Sequence, residues 1–182
     1  MRAVREWGSR PSERTLAFAC DHLLRGPSDA LYRATTVHAS VPILYRWLCQ
    51  LRVAPYSYDW IDNRGRRSPD RLTPGLEKLE VGQRLAKVFR LADFERDRHM
   101  TLLLERPSAL LCGAAITYLI IPVEPDRCRL IVKLRLAYPA TMTGRLVRAL
   151  LPAGDLVMMR KQLMTFRKLA ERDHQSRPFT RL

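Results

Sequence analysis

Between Cys128 and Tyr138 the chain alternates without a break. Cys128, Leu130, Val132, Leu134, Leu136 and Tyr138 fall on one side of an extended backbone, and Arg129, Lys133 and Arg135 fall on the other. Successive strand side chains point to opposite faces. The pattern therefore predicts a strand with one dry face and one face that is wet or cavity-lining, with Lys133 and Arg135 solvated. Ala114–Glu124 reads as the preceding strand. Glu124-Pro-Asp-Arg127 joins the two in a turn too short to connect parallel strands, so an antiparallel meander is implied.

The same reading extends in both directions. Arg84–Phe94 and His99–Glu105 have strand periodicity and are joined near Glu95–Arg98, while Leu31–Ala39 is rich in β-branched residues and reads as the first strand. Ser40 offers an N-cap and Pro42 a first-turn residue for a helix over 41–51, with Ile43, Leu44, Trp47 and Leu48 as its apolar stripe. Pro152-Ala-Gly-Asp155 reads as the entry to a long C-terminal helix with Asp155 at its N-cap. Leu156, Met159, Leu163, Phe166 and Ala170 then share one face. That helix is the one element large enough to cover the sheet. The expected fold is α+β, a curved antiparallel sheet wrapped around a long C-terminal helix. Residues 1–30 form an N-terminal arm with a short helix near Glu13–Cys20, residues 31–174 the domain, and residues 175–182 a polar tail.

A chain of 182 residues fits one domain. Lys and Arg total 32 against 18 acids, giving a formal net charge of +14. Nucleic-acid binders concentrate such charge on one stripe, whereas Arg here runs from Arg2 to Arg181. Nucleic acid is therefore not the expected partner, and a weak attraction to an anionic membrane surface is. Cys20, Cys49, Cys112 and Cys128 have no CxxC spacing, and His22, His38, His99 and His174 are scattered, so neither disulfides nor a metal nor another cofactor is expected. With no secretory signal visible and the longest apolar run (110–123) too short for a bilayer, a cytoplasmic location is expected.

Residues 54–63 read APYSYDWIDN and are followed by RGRRSP. Three large rings (Tyr56, Tyr58, Trp60) share a decapeptide with Asp59, Asp62 and Asn63, a mixture that suits the wall or rim of a cavity. Trp47 and Gln50 in the first predicted helix, Tyr56-Ser-Tyr-Asp-Trp-Ile-Asp-Asn63, Gly65-Arg with Ser68, Leu79 with Val81-Gly82, Ala137-Tyr138-Pro139 and Asp155-x-Val-Met-x-Arg-Lys161 form a wider pattern. On these residues the chain resembles the START/polyketide-cyclase (SRPBCC) superfamily of helix-grip proteins. More narrowly, it resembles the bacterial subgroup with a YSYDW-[IL]-DN motif, from about Trp7 to Glu171. The resemblance implies a deep apolar cavity between sheet and C-terminal helix that takes a lipid, fatty acid or polyketide-like molecule. It carries no shared catalytic set.

The expected wall is Tyr58, Trp60, Tyr118, Met159, Leu163 and Phe166. The alternative is a cyclase, dehydratase or hydrolase using a cavity Asp or His, with Asp59, Asp62 and His99 as candidates and His38 as a further strand histidine. Asp59 and Asp62 are equally readable as turn formers or partners of the following arginines. A third reading makes the basic C-terminal helix an interaction module for anionic lipid or nucleic acid.

Overall fold

The computed structural model describes residues 2–58, 65, 67–85 and 88–176. Its elements run α1 (Arg2–Arg5), α2 (Pro11–Arg14), a 3₁₀ turn (Ala19–His22), β1 (Asp29–Val37) and α3 (Val41–Cys49) with a 3₁₀ extension (Gln50–Arg52). They continue with β2 (Arg84–Leu85), β3 (Phe89–Glu95), β4 (His99–Leu104), β5 (Gly113–Glu124), β6 (Arg127–Ala137) and α4 (Met142–Gln175). The six strands form one antiparallel sheet in the order β1-β6-β5-β4-β3-β2. The run over 84–94 is thus two paired strands, with Leu85 opposite Phe89. The short helix expected near Glu13–Cys20 is replaced by α2 and the 3₁₀ turn on either side of a break. None of the described helices is long and apolar enough to cross a membrane.

The alternation in β6 sets both faces of the sheet. Val132 pairs with Tyr118 and Leu134 with Ile116, and these in turn face Met100 and Leu102 on β4. This concave face and the inner side of α4 share one buried core with α3. On the convex face, Ile131 packs with Phe18, Cys20, Ala34 and Ala115 in a second, smaller cluster.

The convex face is not solvated, contrary to the sequence expectation for Lys133 and Arg135. The N-terminal arm lies across it and supplies a carboxylate for each cation. Lys133 Nζ is 2.6 Å from Asp21 Oδ1 and sits over the rings of Phe18 and Tyr32. Arg135 donates to Asp21 and Ser28. Arg129, which is buried, donates from Nε and Nη2 to the two oxygens of Glu13 at 2.7 and 2.8 Å, and also to the Gly8 carbonyl and Thr36 Oγ1. Long basic side chains with fixed, hydrogen-bonded partners can lie under a covering segment. Single-strand alternation cannot reveal a cover that comes from more than a hundred residues away.

The arm also caps the open edge of the sheet. β1 is an edge strand, and the Ala34 N–H donates to the Trp7 carbonyl at 3.0 Å. Gly8 makes this approach possible: its φ is +72° and a Cβ there would lie 2.0 Å from the Ala34 oxygen.

Burial alone would raise the Glu13 carboxyl, but the Arg129 hydrogen bonds and charge hold it below its ordinary value. A depressed carboxylate pKa gives stability that is present above the unfolded value and lost as pH falls through the folded one. Glu13→Gln, which leaves the Arg129 charge buried without its partner, is expected to cost about 3 kcal/mol at neutral pH in urea unfolding. The difference from wild type should shrink as pH falls below the ordinary glutamate range, where wild-type Glu13 itself takes up a proton. A pH-independent difference would contradict this assignment.

Candidate functional site

α4 begins at Met142, not at Asp155. Thr141 is the N-cap, its Oγ1 accepting from the Gly144 N–H at 3.1 Å, and Pro152 lies inside the helix. Pro152 supplies no N–H to the preceding turn. The tertiary contact that accompanies this position comes from Arg33 on β1, whose Nη2 donates to the Pro152 carbonyl at 3.3 Å and to Asp155 Oδ2 at 2.8 Å. Asp155 is therefore the partner of a buried cation and not a cap.

Arg33 stands on the concave side of β1, in register with Val132 and between Leu31 and Thr35. Its side chain has no exposed surface. Nη1 donates to the Tyr32 carbonyl at 2.8 Å, and Nε has no acceptor among the described residues. Burial pushes the Asp155 carboxyl up to about 6, against the pull of the Arg33 charge and hydrogen bond. Only Oδ2 is bonded to Arg33; Oδ1 has no donor among the described residues.

Beside this pair opens a cavity of about 600 Å³ between α4, the sheet and the segment after α3. The sheet contributes Phe89, Leu102, Ala114, Ile116, Tyr118, Leu134 and Leu136; the helix contributes Leu151, Met158 and Met159; Val53, Ala54 and Pro55 form the rim. The polar groups at its wall are Asp155, Gln162, Arg52 and Ser57. Gln162 is held from both sides. Its Oε1 accepts from the Tyr118 hydroxyl at 2.8 Å and its Nε2 donates to the Pro55 carbonyl at 2.6 Å. Burial raises the Tyr118 hydroxyl pKa well above its ordinary value, so it acts as a neutral donor. The site is an apolar chamber with one carboxylate and one braced amide at its wall.

Of the residues expected at the wall, Tyr118 and Met159 line the cavity. Leu163 and Phe166 lie in the closed core, where the Phe166 ring centroid is 5.3 Å from that of Tyr56. Tyr58 is half-buried, next to the lining residue Ser57. Trp60, Asp59 and Asp62 lie outside the described residues. His99 stands on the convex side of β4, with Nε2 3.0 Å from Asp93 Oδ2, and His38 is exposed; neither faces the cavity.

The motif residues in and after α3 fix the rim. Tyr56 is buried with a left-handed φ of 55°, its ring between Trp47 and Phe166. Gln50 exchanges two hydrogen bonds with the backbone of Thr73. Sequence reasoning missed Asp155 and Gln162 as cavity residues. Two signals were present: Arg33 has the same parity as Leu31 and Val37 on β1, so it needs a carboxylate under the sheet, and Asp155, Met159 and Gln162 share one helix face.

A raised carboxylate pKa adds stability that is full below the unfolded value and is lost as pH rises through the folded one, here between about 4 and about 6. Carboxyl-carbon NMR titration should give Asp155 a midpoint of about 6. Arg33→Met should move it higher still, because the guanidinium opposes the effect of burial. A wild-type midpoint at or below the ordinary carboxylate range would contradict this geometry.

No protein-family model matches the sequence, and no curated protein matches it either. Solved structures do share the fold. The Zhui aromatase/cyclase from Streptomyces sp. R1128 aligns with a TM-score of 0.54 at 12% identity, over 86% of this chain and 100% of that one. The di-domain ARO/CYC StfQ from the steffimycin biosynthetic pathway aligns at 0.51 and 12% identity, over 80% of this chain and 51% of that one. A norcoclaurine synthase point mutant from Thalictrum flavum aligns at 0.50 and 15% identity, over 84% and 99%. The six-stranded antiparallel sheet gripping one long C-terminal helix is thus the helix-grip, START-like fold that these proteins share.

Proposed function

We propose that the protein encloses a small hydrophobic molecule, a lipid, fatty acid or polyketide-like compound, between the sheet and α4. We place it with the SRPBCC proteins that carry the YSYDW-[IL]-DN motif. The observation that carries this reading is the cavity of about 600 Å³, whose wall is aliphatic and aromatic apart from a few polar groups. That volume lies within the range of small-molecule sites. Tyr118 and Met159 contribute to its wall, and Tyr58 and Trp60 are proposed to complete its rim.

Magnitudes limit the ligand. Burying an eight-carbon chain yields on the order of 6 kcal/mol at about 0.8 kcal/mol per methylene, of which association removes an estimated 4 kcal/mol or more. Useful affinity needs a longer or ring-shaped molecule, or a hydrogen bond to the charged Asp155 contributing about 1.5–3 kcal/mol. Palmitate and a tricyclic aromatic phenol should therefore bind saturably in calorimetry and by native mass spectrometry. Met159→Trp, which fills the chamber, should weaken binding by at least about tenfold while the fold melts cooperatively. The absence of saturable binding by either compound would overturn the proposal.

A second reading is favoured by Asp155 itself: a carboxylate with a raised pKa and one oxygen without a protein donor is suited to proton transfer near neutral pH. In that reading Oδ1 takes a proton from the acidic carbon of a bound β-dicarbonyl, leaving an enolate, and returns it in a later step. Deuterium exchange into an aromatic β-diketone should rise through a midpoint of about 6 and vanish in Asp155→Asn. Equal exchange in a folded Asp155→Asn variant would exclude it and leave binding alone.

A further inference from the structure

The outer side of α4 is built in two halves. Met142, Leu146 and Leu150 follow one another at four-residue spacing, and Val157 continues the stripe two turns on. They are 76%, 60%, 63% and 53% exposed, and Ala149 and Ala153, also exposed, lie among them. The second half of the same side is basic. Lys161 and Lys168 are exposed and have no carboxylate partner among the described residues, with the half-exposed Met164 between them. Arg160 lies over the Trp7 ring.

Lys161 and Lys168 also form one bank of a groove of about 880 Å³. Arg67 and Ser68 lie on its other side, and Thr165 and Arg172 contribute from the helix. Among the described residues Asp70 is its one carboxylate, and the Asp70 backbone carbonyl accepts from Arg172. Between Met142 and Ala170 the helix has six Arg and Lys residues and a single acid, Asp155, which is turned inward to Arg33; Arg148 and Arg167 are paired with Asp29 and Glu171.

An apolar stripe that continues into a basic groove, where Lys161 and Lys168 have no carboxylate partner among the described residues and Arg172 is paired with Asp173, has a specific complement. A second copy of the chain would bring like charges together on a protein whose net charge is already +14. An acidic protein surface would match the groove but leave four large apolar side chains without a complement. An anionic bilayer surface matches both halves: acyl chains take the stripe and headgroups take the cations. We infer that the outer side of α4 docks on an anionic lipid membrane, with Met142, Leu146, Leu150 and Val157 entering the interface. Lys161, Lys168 and Arg67 then hold lipid headgroups in the groove. The arrangement is that of a helix lying in the plane of the interface and not of a spanning segment. The inference does not depend on what the cavity binds, because the stripe and the cavity wall are on opposite sides of the helix.

The test is sedimentation with vesicles of pure phosphatidylcholine and of phosphatidylcholine mixed with phosphatidylglycerol, using the full chain. Two variants change only exposed side chains, Leu146→Gln/Leu150→Gln and Lys161→Glu/Lys168→Glu, and palmitate binding in the cavity should be unchanged in both. Wild type should bind the phosphatidylglycerol vesicles and release partly at raised salt. Each variant should bind at least about tenfold more weakly. Equal binding by the leucine variant would show a purely electrostatic contact and overturn the inference. So would failure of wild type to bind anionic vesicles at low salt, or tighter binding to duplex DNA than to them. A wild-type dimer that becomes a monomer in the leucine variant would assign the stripe to self-association and overturn it equally.

Discussion

A guanidinium with no exposed surface sits under the edge strand of the sheet, and the position of the long helix follows from it. Arg33 cannot shed its proton, so β1 is stable in this place only if a carboxylate reaches it. Asp155 is that carboxylate, and the carbonyl of Pro152 is the second acceptor. Together they fix the height and rotation of α4 over the concave face. Breaking such a pair by removing one partner costs on the order of 3–5 kcal/mol, although a well-packed apolar pair in its place is often no less stable. The pair thus fixes an arrangement more than it supplies net stability.

The cavity exists because of that arrangement. Leu163, Phe166 and Ala170 close the C-terminal half of the helix against α3, while Leu151, Met158 and Met159, nearer its N-terminus, line the cavity. The gap between these halves is where Asp155 and Gln162 meet the apolar wall. The same burial that makes Asp155 a partner for Arg33 raises its affinity for a proton. The ion pair that seats α4 is thus also the group on which the proposed proton transfer would rest.

The opposite face of the sheet solves a different problem by a similar device. A convex surface studded with Arg129, Lys133 and Arg135 could have stayed in water, but Glu13 and Asp21 bring an arm across it. Phe18 and Cys20 are buried in the process, and the open edge at β1 is capped through Ala34 and Trp7. One sheet is thus covered on both sides, by a helix whose seating includes an ion pair and by an arm secured by several.

The strands, the meander and the existence of one long covering helix were legible in the sequence, because period-two alternation and short turns are local properties. Of the aromatic decapeptide, the described part places Ala54, Pro55 and Ser57 at the cavity, and Tyr56 within it and Gln50 before it are held by specific buried contacts. The start of α4 was not legible, because Pro152 and Gly154 look like a helix entry and Asp155 like a cap. Only the tertiary structure shows Arg33 engaging that turn from the strand. Nor could the sequence decide which charged residues are solvated. Arg129 and Lys133 are buried by partners about 115 residues away in the chain, and a local pattern carries no information about a cover of that separation. The sequence alone determined the faces of each strand and the amphipathic helix. The tertiary structure decided which polar groups those faces enclose, because a buried charge is settled by its partner and not by its neighbours in the chain.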